Sequence, residues 1–441
     1  MFRKLIPLLA APAIVGAQQQ VQPQVQSPAD TTFHPISMTE AVRLAKENNV
    51  ANITAANTIR SANNNVRSAR AAFIPTLTAS AGQGISAGQR LGPTNDIINY
   101  KSRWSYQTGL NANATIFDGG KMFADVKTQR ANVAAAEASE VNTEFNTALQ
   151  VKLAYNSILA AKESESAAQA QLAAAQAQLQ TSIAKVNAGA ANVSDSLRSV
   201  VQVGNAQLAI LTAQNTFRTA SANLTRLVGT NYFVTAQLAD TVEHTPTALD
   251  SASIMQMALT GPAIRAFEAQ ATSYQAAERS AKAAYLPTIS LSANYSGSGI
   301  GQYGFGSDPF PYSRGLNINL NYPLFNRFQR ENQIATAQIN YDNAQAQLRD
   351  QRLAAQQNVV TAFASLRNAE ETMRVQETNV RASEEDLRVQ QQRYNLGAST
   401  LLDVLNSQLT LVQARQALIT ARFNYRNARA QIEAAIGRDL P

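Results

Sequence analysis

The 441-residue chain contains no cysteine. That excludes a disulfide framework, a thiolate metal site and a lipidated N-terminal cysteine. Two histidines, His34 and His244, leave little material for metal or acid–base chemistry. Charged residues are sparse at 15%, and the bases lie scattered among acids. A nucleic-acid surface is therefore not expected, despite a net charge of +7. There is no histidine pair and no nucleotide-binding glycine loop, and the acids are dispersed, so nothing points to an enzyme, a cofactor or a resident metal. No segment approaches the eighteen or so apolar residues that a membrane helix needs. Proline is missing from two long stretches, 119–186 and 328–394.

Those stretches organise the chain. Each predicts one continuous helix roughly 100 Å long, at about 1.5 Å per residue. In the second, Val359, Leu366, Met373, Val380, Leu387 and Tyr394 fall seven apart, which keeps one apolar seam facing a partner helix. The corresponding row in the first is Val151, Ile158, Glu165, Leu172, Leu179 and Val186. Glu165 there stands in the place of Met373. The second helix also carries Glu370/Arg374, Glu377/Arg381 and Glu384/Arg388, which predict a ladder of i,i+4 ion pairs on a solvated face.

The N-terminus reads as an export signal over 1–17, with Arg3 and Lys4 before the apolar run Leu5 to Val15. Removing that segment would lower the charge from +7 to +5. A polar Gln/Pro-rich tract, 18–37, follows. Ser37 or Thr39 caps a helix running to about Ala72, which Pro75 ends. The period then changes to two. Leu77, Ala79 and Ala81 alternate with Thr76, Thr78 and Ser80, and Trp104 to Ile116 continues the pattern after a loop at Gly88 to Asn99. This predicts a β-hairpin over 76–117 with one apolar and one polar face. Asp118-Gly119-Gly120 turns the strand into the long helix, 119–187. After a glycine-bearing stop, Ser194 or Asp195 opens a helix over 194–229, and a non-helical connector spans 230–248.

The plan then repeats. Arg67 to Thr76 matches Arg279 to Thr288, Ile116-Phe117-Asp118 matches Leu324-Phe325-Asn326, Gly189-Ala190 matches Gly397-Ala398, and Asp195 matches Asp403. The first repeat covers 38–229 and the second 249–441. The second has its own hairpin at 288–324, with a loop from Gly301 to Ser313, a long helix at 328–394 and a shorter one at 401–437. An internal repeat of this length is a strong signal.

Counting turns the layout into an architecture. In each half the two shorter helices, stacked end to end, match the long one, giving an antiparallel helical layer. Four amphipathic strands cannot close a membrane barrel, and an open edge in lipid leaves backbone groups unsatisfied. Several copies must contribute. Three give twelve strands, although two would give eight.

The repeat, the Ile116 to Gly120 junction and the turn from Tyr394 to Leu405 resemble the TolC family of outer-membrane efflux proteins, over about Ser37 to Gly437. The resemblance implies a mixed α and β membrane protein, in which four transmembrane β-strands per chain join a trimeric 12-stranded β-barrel above a long α-helical barrel. It implies a place in the outer membrane with the helices in the periplasm. The homotrimer would dock to a periplasmic adaptor (membrane fusion protein) and an inner-membrane pump. Gly189, Ala190, Gly397, Ala398 and Ser399 match the periplasmic tip where adaptor hairpins dock, although a glycine cap alone would explain the glycines. Asp195 and Asp403 match aperture positions, where three copies make carboxylate rings with raised pKa values. A first-turn aspartate complementing the helix dipole is the plainer role. Tyr394 matches a tyrosine that holds the aperture shut by linking to the neighbouring helix pair, and it is also a seam residue. Ser399 and Asn406 stand where related members can carry a basic and an acidic residue. Trp104, Tyr106, Tyr295 and Tyr322 fit interfacial aromatic belts, or core or subunit contacts.

The expected function is a passive exit duct of a tripartite efflux or type I secretion system. A periplasmic coiled-coil scaffold is the contrasting class, and the alternating strands argue against it. Export of heavy-metal cations is a subordinate option without support from the dispersed methionines and histidines.

Overall fold

The computed structural model describes residues 32–91, 93, 96–237, 251–301 and 311–440. The export signal and most of the polar tract lie outside the described residues. The elements in order are β1 (His34–Ile36), α1 (Met38–Asn48), α2 (Val50–Ala71), β2 (Thr76–Leu91), β3 (Ile97–Phe117), α3 (Lys121–Asn187), α4 (Val193–Val228), β4 (Val234–Ala236), α5 (Ser251–Ala258), α6 (Pro262–Lys282), β5 (Thr288–Gly301), β6 (Tyr312–Asn321), α7 (Gln329–Asn395) and α8 (Leu401–Ile436). Among the described residues no helix is long and apolar enough to cross a membrane.

The sheet of β2, β3, β5 and β6, in that order and antiparallel throughout, keeps the two faces that the alternation predicts. One cross-strand row reads Leu77, Ala112, Ala293, Leu316, and the next reads Thr78, Asn111, Asn294, Gly315. From Thr76 to Gly82 the polar rows hold Thr, Asn, Ser, Gln and Gly, and Arg103 lies further along, opposite Ser86. On the apolar face Leu77, Leu316, Ile318 and Leu320 are about 70% exposed, so a mainly apolar surface, interrupted at Arg314, stands open, as do both sheet edges. The first hairpin spans 76–117 as expected, with longer strands inside it. Its strands extend to Leu91 and start again at Ile97, because Gln89 and Asn99 pair within what read as a glycine-rich loop. In the second hairpin, the stretch between β5 and β6 lies mostly outside the described residues.

α3 and α7, at 67 residues each, run unbroken. The shorter helices break in both repeats at equivalent positions, Asn49 and Gly261, which corrects the single helices expected there. Asn49 leaves the helical region (ψ 132°), and its side chain accepts from Ala51 N and donates to the Leu227 carbonyl. Gly261 precedes Pro262, and a Cβ there would lie 2.4 Å from the Ala435 carbonyl oxygen. At that level β1 pairs in parallel with β4. Both strands fall in segments expected to be non-helical and unpaired, so the polar tract and the connector each lose a few residues to structure. The rest of the connector, 238–250, lies outside the described residues. Tyr155 on α3 ties the two strands, donating to the Ile36 carbonyl and accepting from Gln237 N, both at 3.0 Å. It sits with Val151, Ile158, Leu224, Val234 and Phe423 in the largest core.

The helices form one layer in the order α2 over α4, then α3, then α6 over α8, then α7. Thr147 on α3 bonds Asn52 on α2, Asn156 on α3 bonds Asn427 on α8, and Gln275 on α6 bonds Tyr341 on α7. The seams are those the heptads predict: Val359, Leu366, Met373 and Tyr394 are buried, as are Val151 and Ile158. The ion-pair ladder takes a different form. Arg374 bonds Glu371 and Arg388 bonds Glu385 at i,i+3, whereas Glu384 crosses to Arg415 on α8 at 2.7 Å. Three-residue spacing also places side chains on one helix face, and the arginines reach back to the nearer acid. Among the aromatics, Tyr106 is buried, while Tyr295 stacks on Tyr312 and Tyr322 is half exposed.

Glu165 occupies its seam as a satisfied carboxylate, 8% exposed. It accepts from Lys162 Nζ at 2.9 Å and from Gln214 Nε2, across on α4, at 3.3 Å. The Lys162 bond, reinforced by Gln214 and opposed by burial, holds its pKa below the ordinary 4.5. A lowered carboxylate pKa stabilises the fold above the unfolded value and loses that contribution as the pH falls through the folded one. Thermal melts from about pH 5 to about pH 3 should therefore fall more steeply in wild type than in Glu165→Met, and equal slopes would contradict the assignment.

Candidate functional site

Two ends of the long helices carry the residues singled out in the sequence. At the sheet end, Asp118, Gly119 and Gly120 form the β3–α3 junction. Asp118 Oδ2 accepts from Met122 N at 2.8 Å and caps the helix. Gly119 and Gly120 are left-handed at φ 72° and 82°. At Gly119 space also decides, since a Cβ would lie 2.5 Å from Leu286 Cβ and 2.7 Å from the Ala283 carbonyl oxygen. At Gly120 nothing lies within 4 Å. The equivalent turn in the second repeat is Asn326, Arg327 and Phe328, and it keeps the left-handed geometry without glycine, at φ 59° and 60°. Each such residue costs about 1–2 kcal/mol.

At the opposite end, about 100 Å away along α3, the α3–α4 and α7–α8 turns are near copies. Gly189 N donates to the Val186 carbonyl and Ala190 N to the Lys185 carbonyl, at 3.0 and 2.8 Å. Gly397 and Ala398 repeat both bonds, to Tyr394 and Arg393, at 3.2 and 2.8 Å. This is the paired 5→2 and 6→1 closure of a helix end, which requires a left-handed residue. Gly189 and Gly397 supply it at φ 72° and 74°, and nothing stands within 4 Å of a Cβ at either. The caps are therefore real, and the space above them is open.

The helices that leave the turns start differently. Asn192, rather than Ser194 or Asp195, caps α4, accepting from Ser194 N at 3.1 Å. Asp195 follows in the first turn, half-buried. Thr400 caps α8 in a reciprocal box with Asp403. Asp403 Oδ2 accepts from Thr400 N, Thr400 Oγ1 and Ser399 Oγ at 2.9, 2.7 and 3.0 Å. The Thr400 hydroxyl foremost, then its amide and Ser399, hold the carboxyl below the ordinary aspartate value. Within one chain the lowering cap decides the direction, where stacked carboxylates alone would raise it.

Tyr394 is buried against Leu401 and Val404. It does meet the neighbouring hairpin, but not through its hydroxyl. Lys185 Nζ lies 3.6 Å from the ring centroid and donates to the Tyr394 carbonyl oxygen at 2.7 Å, tying the end of α3 to the end of α7. The Tyr394 hydroxyl is buried without a hydrogen-bond partner, and burial pushes the Lys185 pKa down. Sequence reasoning missed Lys185, whose one local signal is a basic residue in a last helical turn. Among the described residues no group of three or more His, Cys, Asp or Glu is placed to hold a metal ion.

A two-faced sheet at one end and paired helical hairpins at the far end of hundred-ångström helices define the protomer fold of an outer-membrane channel-tunnel. The chain belongs to the outer membrane efflux protein family, whose model matches residues 41–230 and 254–438, and it is thus an outer-membrane protein. It is 27% identical over 168 residues to the outer membrane protein TolC of Escherichia coli K12, a match covering 36% of this chain and 34% of TolC. The match thus spans about a third of that relative's length. It is 24% identical to the outer membrane efflux protein BepC of Brucella suis over 91% of this chain and 85% of BepC. The crystal structure of CusC, described as forming a transmembrane channel, shares the fold with TM-score 0.77, 20% identity and coverage of 93% and 94%.

The two junction glycines separate strain from space. Gly119→Ala should destabilise the protein by about 2–4 kcal/mol, combining a left-handed alanine with overpacking. Gly120→Ala should cost only the strain, about 1–2 kcal/mol. Thermal unfolding of detergent-solubilised variants compares them, and equal losses would contradict the steric account.

Proposed function

We propose that the chain is one of three protomers of a channel-tunnel that serves as the passive exit duct of a tripartite efflux or type I secretion system. Each protomer supplies four strands to a twelve-stranded barrel and a third of a helical tunnel in the periplasm. The observation that carries this reading is the sheet: a mainly apolar outer face, a polar inner face and two open edges. In lipid such edges must be paired with other strands. Membership of the efflux family supports the duct over a periplasmic scaffold.

At the far end, Gly189, Ala190, Gly397, Ala398 and Ser399 offer a periplasmic adaptor two hairpin tips whose glycines have open space above them. Energy comes from an inner-membrane pump. Asp195 and Asp403 line the aperture and Tyr394 steadies it, tied to α3 by Lys185. The cap holds the Asp403 carboxyl below its ordinary value, and three such carboxylates brought together form an anionic ring that favours cations. Export of heavy-metal cations is not favoured, since among the described residues no group of three or more His, Cys, Asp or Glu lies together.

Reconstituted into planar bilayers, the purified trimer should conduct, and divalent cations on the periplasmic side should block it. Asp403→Asn, which keeps a capping oxygen, should weaken that block. Unchanged block removes the ring. A monomer without conductance removes the duct.

A further inference from the structure

The two strand-to-helix junctions are copies of one turn that face different neighbours. The β3–α3 junction lies against the α6–β5 junction of the same chain, because β3 pairs with β5 and Asp125 on α3 bonds Ser280 on α6. That seam is closed to the point where Gly119 can carry no Cβ. The β6–α7 junction borders the open edge of the sheet. Leu324, Phe325 and Phe328 there are 85, 73 and 68% exposed. The other open edge, β2, begins beside Ile74, which is 67% exposed. By the register of the repeat, Arg327 is the counterpart of Gly119, and Ala71 and Ile74 are the counterparts of Ala283 and Leu286.

We infer that the β6–α7 knuckle seats against the α2–β2 corner of a second copy of this chain, across a seam wider than the one inside the chain. The inference rests on the trimer proposed above. The occupant follows from the edges: closing the barrel sets β6 beside β2 of the partner subunit, as β3 lies beside β5. The width follows from the side chains. A seam shaped like the internal one admits no Cβ, yet the chain holds Arg327 and Phe328 in the same left-handed turn. The collar of the barrel therefore alternates three glycine-tight seams with three filled by side chains, and Leu324, Phe325, Phe328 and Ile74 fill them. Such backbone strain persists where surrounding structure holds it. A neighbouring protomer of fixed shape can do that, and fluid lipid cannot.

The lack of cysteine makes the test direct. The double variant Arg327→Cys/Ile74→Cys should link neighbouring protomers into covalent dimers and trimers on denaturing gels. Oxidation probes a disulfide's reach of about 4 Å between Cβ atoms, and a short bismaleimide covers a wider seam. An intact trimer that links with neither reagent overturns the seam while the trimer stands. A fluorophore at position 327 quenched by spin-labelled lipid would then name lipid as the occupant. A chain that sediments as a monomer removes both the trimer and the seam. Independently, Arg327→Gly/Phe328→Gly relaxes the turn but empties the seam, and should lower the temperature of trimer dissociation by several degrees. An unchanged or raised temperature overturns the wedge.

Discussion

A backbone amide in lipid has no water to bond, and the rest of the structure follows from that constraint. The sheet carries a broad exposed apolar face and ends in two strands, β2 and β6, each with one open edge. In water this would be a template for aggregation. In a bilayer the same face is solvated by lipid, and the edges become an obligation to find other strands. The polar rows opposite, Thr78, Asn111, Asn294 and Gly315 among them, are dispensable for burial and suit a water-filled interior. The helices inherit their order from the strands. Because each junction carries a strand straight into a helix, the sequence of strands around the sheet sets the sequence of helices around the layer.

The repeat shows where that plan is strict and where it has been relaxed. Both hairpin tips close with the same two backbone bonds, and both seams bury residues seven apart. Yet Glu165 stands opposite Met373, and Arg327 and Phe328 stand opposite two glycines. Glu165 is tolerated because Lys162 and Gln214 satisfy it, and a buried charge that is paired and bonded can fix register between two helices. At the left-handed Arg327 and Phe328 the ring contact is local, Phe325 meeting Phe328 edge-on within the turn itself.

Most of the architecture was legible because the signals are local and long. Period two over β3 and period seven over α7 each persist for many residues, so accidental matches are few. The repeat then checked each reading against its copy. What escaped was short or distant. β1 and β4 are three residues each and meet across some two hundred positions, leaving no periodicity to read. The breaks at Asn49 and Gly261 had local cues, an asparagine and a Gly-Pro step, but neither compels a break in a helix of that length. At the tip, the glycine caps and a first-turn place for Asp403 were readable from residue type, whereas its reciprocal box with Thr400 emerged only in the structure. The Lys185–Tyr394 contact was not, because it joins residues 209 apart. The ion-pair ladder erred for a subtler reason: heptads rich in both charges satisfy several pairings, and spacing alone cannot rank them.

Glycine serves opposite ends of this molecule for opposite reasons, and the contrast bears on function. At Gly119 the residue is needed because neighbouring atoms already occupy the place of a side chain. At Gly189 and Gly397 the same left-handed backbone is needed, but nothing stands within 4 Å. Asparagine would serve a helix stop in such open space at small cost, yet both tips use glycine followed by alanine. A bare turn of that kind leaves the backbone approachable to within the radius of another main chain. The junction glycine is thus consumed by the fold, whereas the tip glycines leave room unspent. That unspent room is what the proposed adaptor would fill.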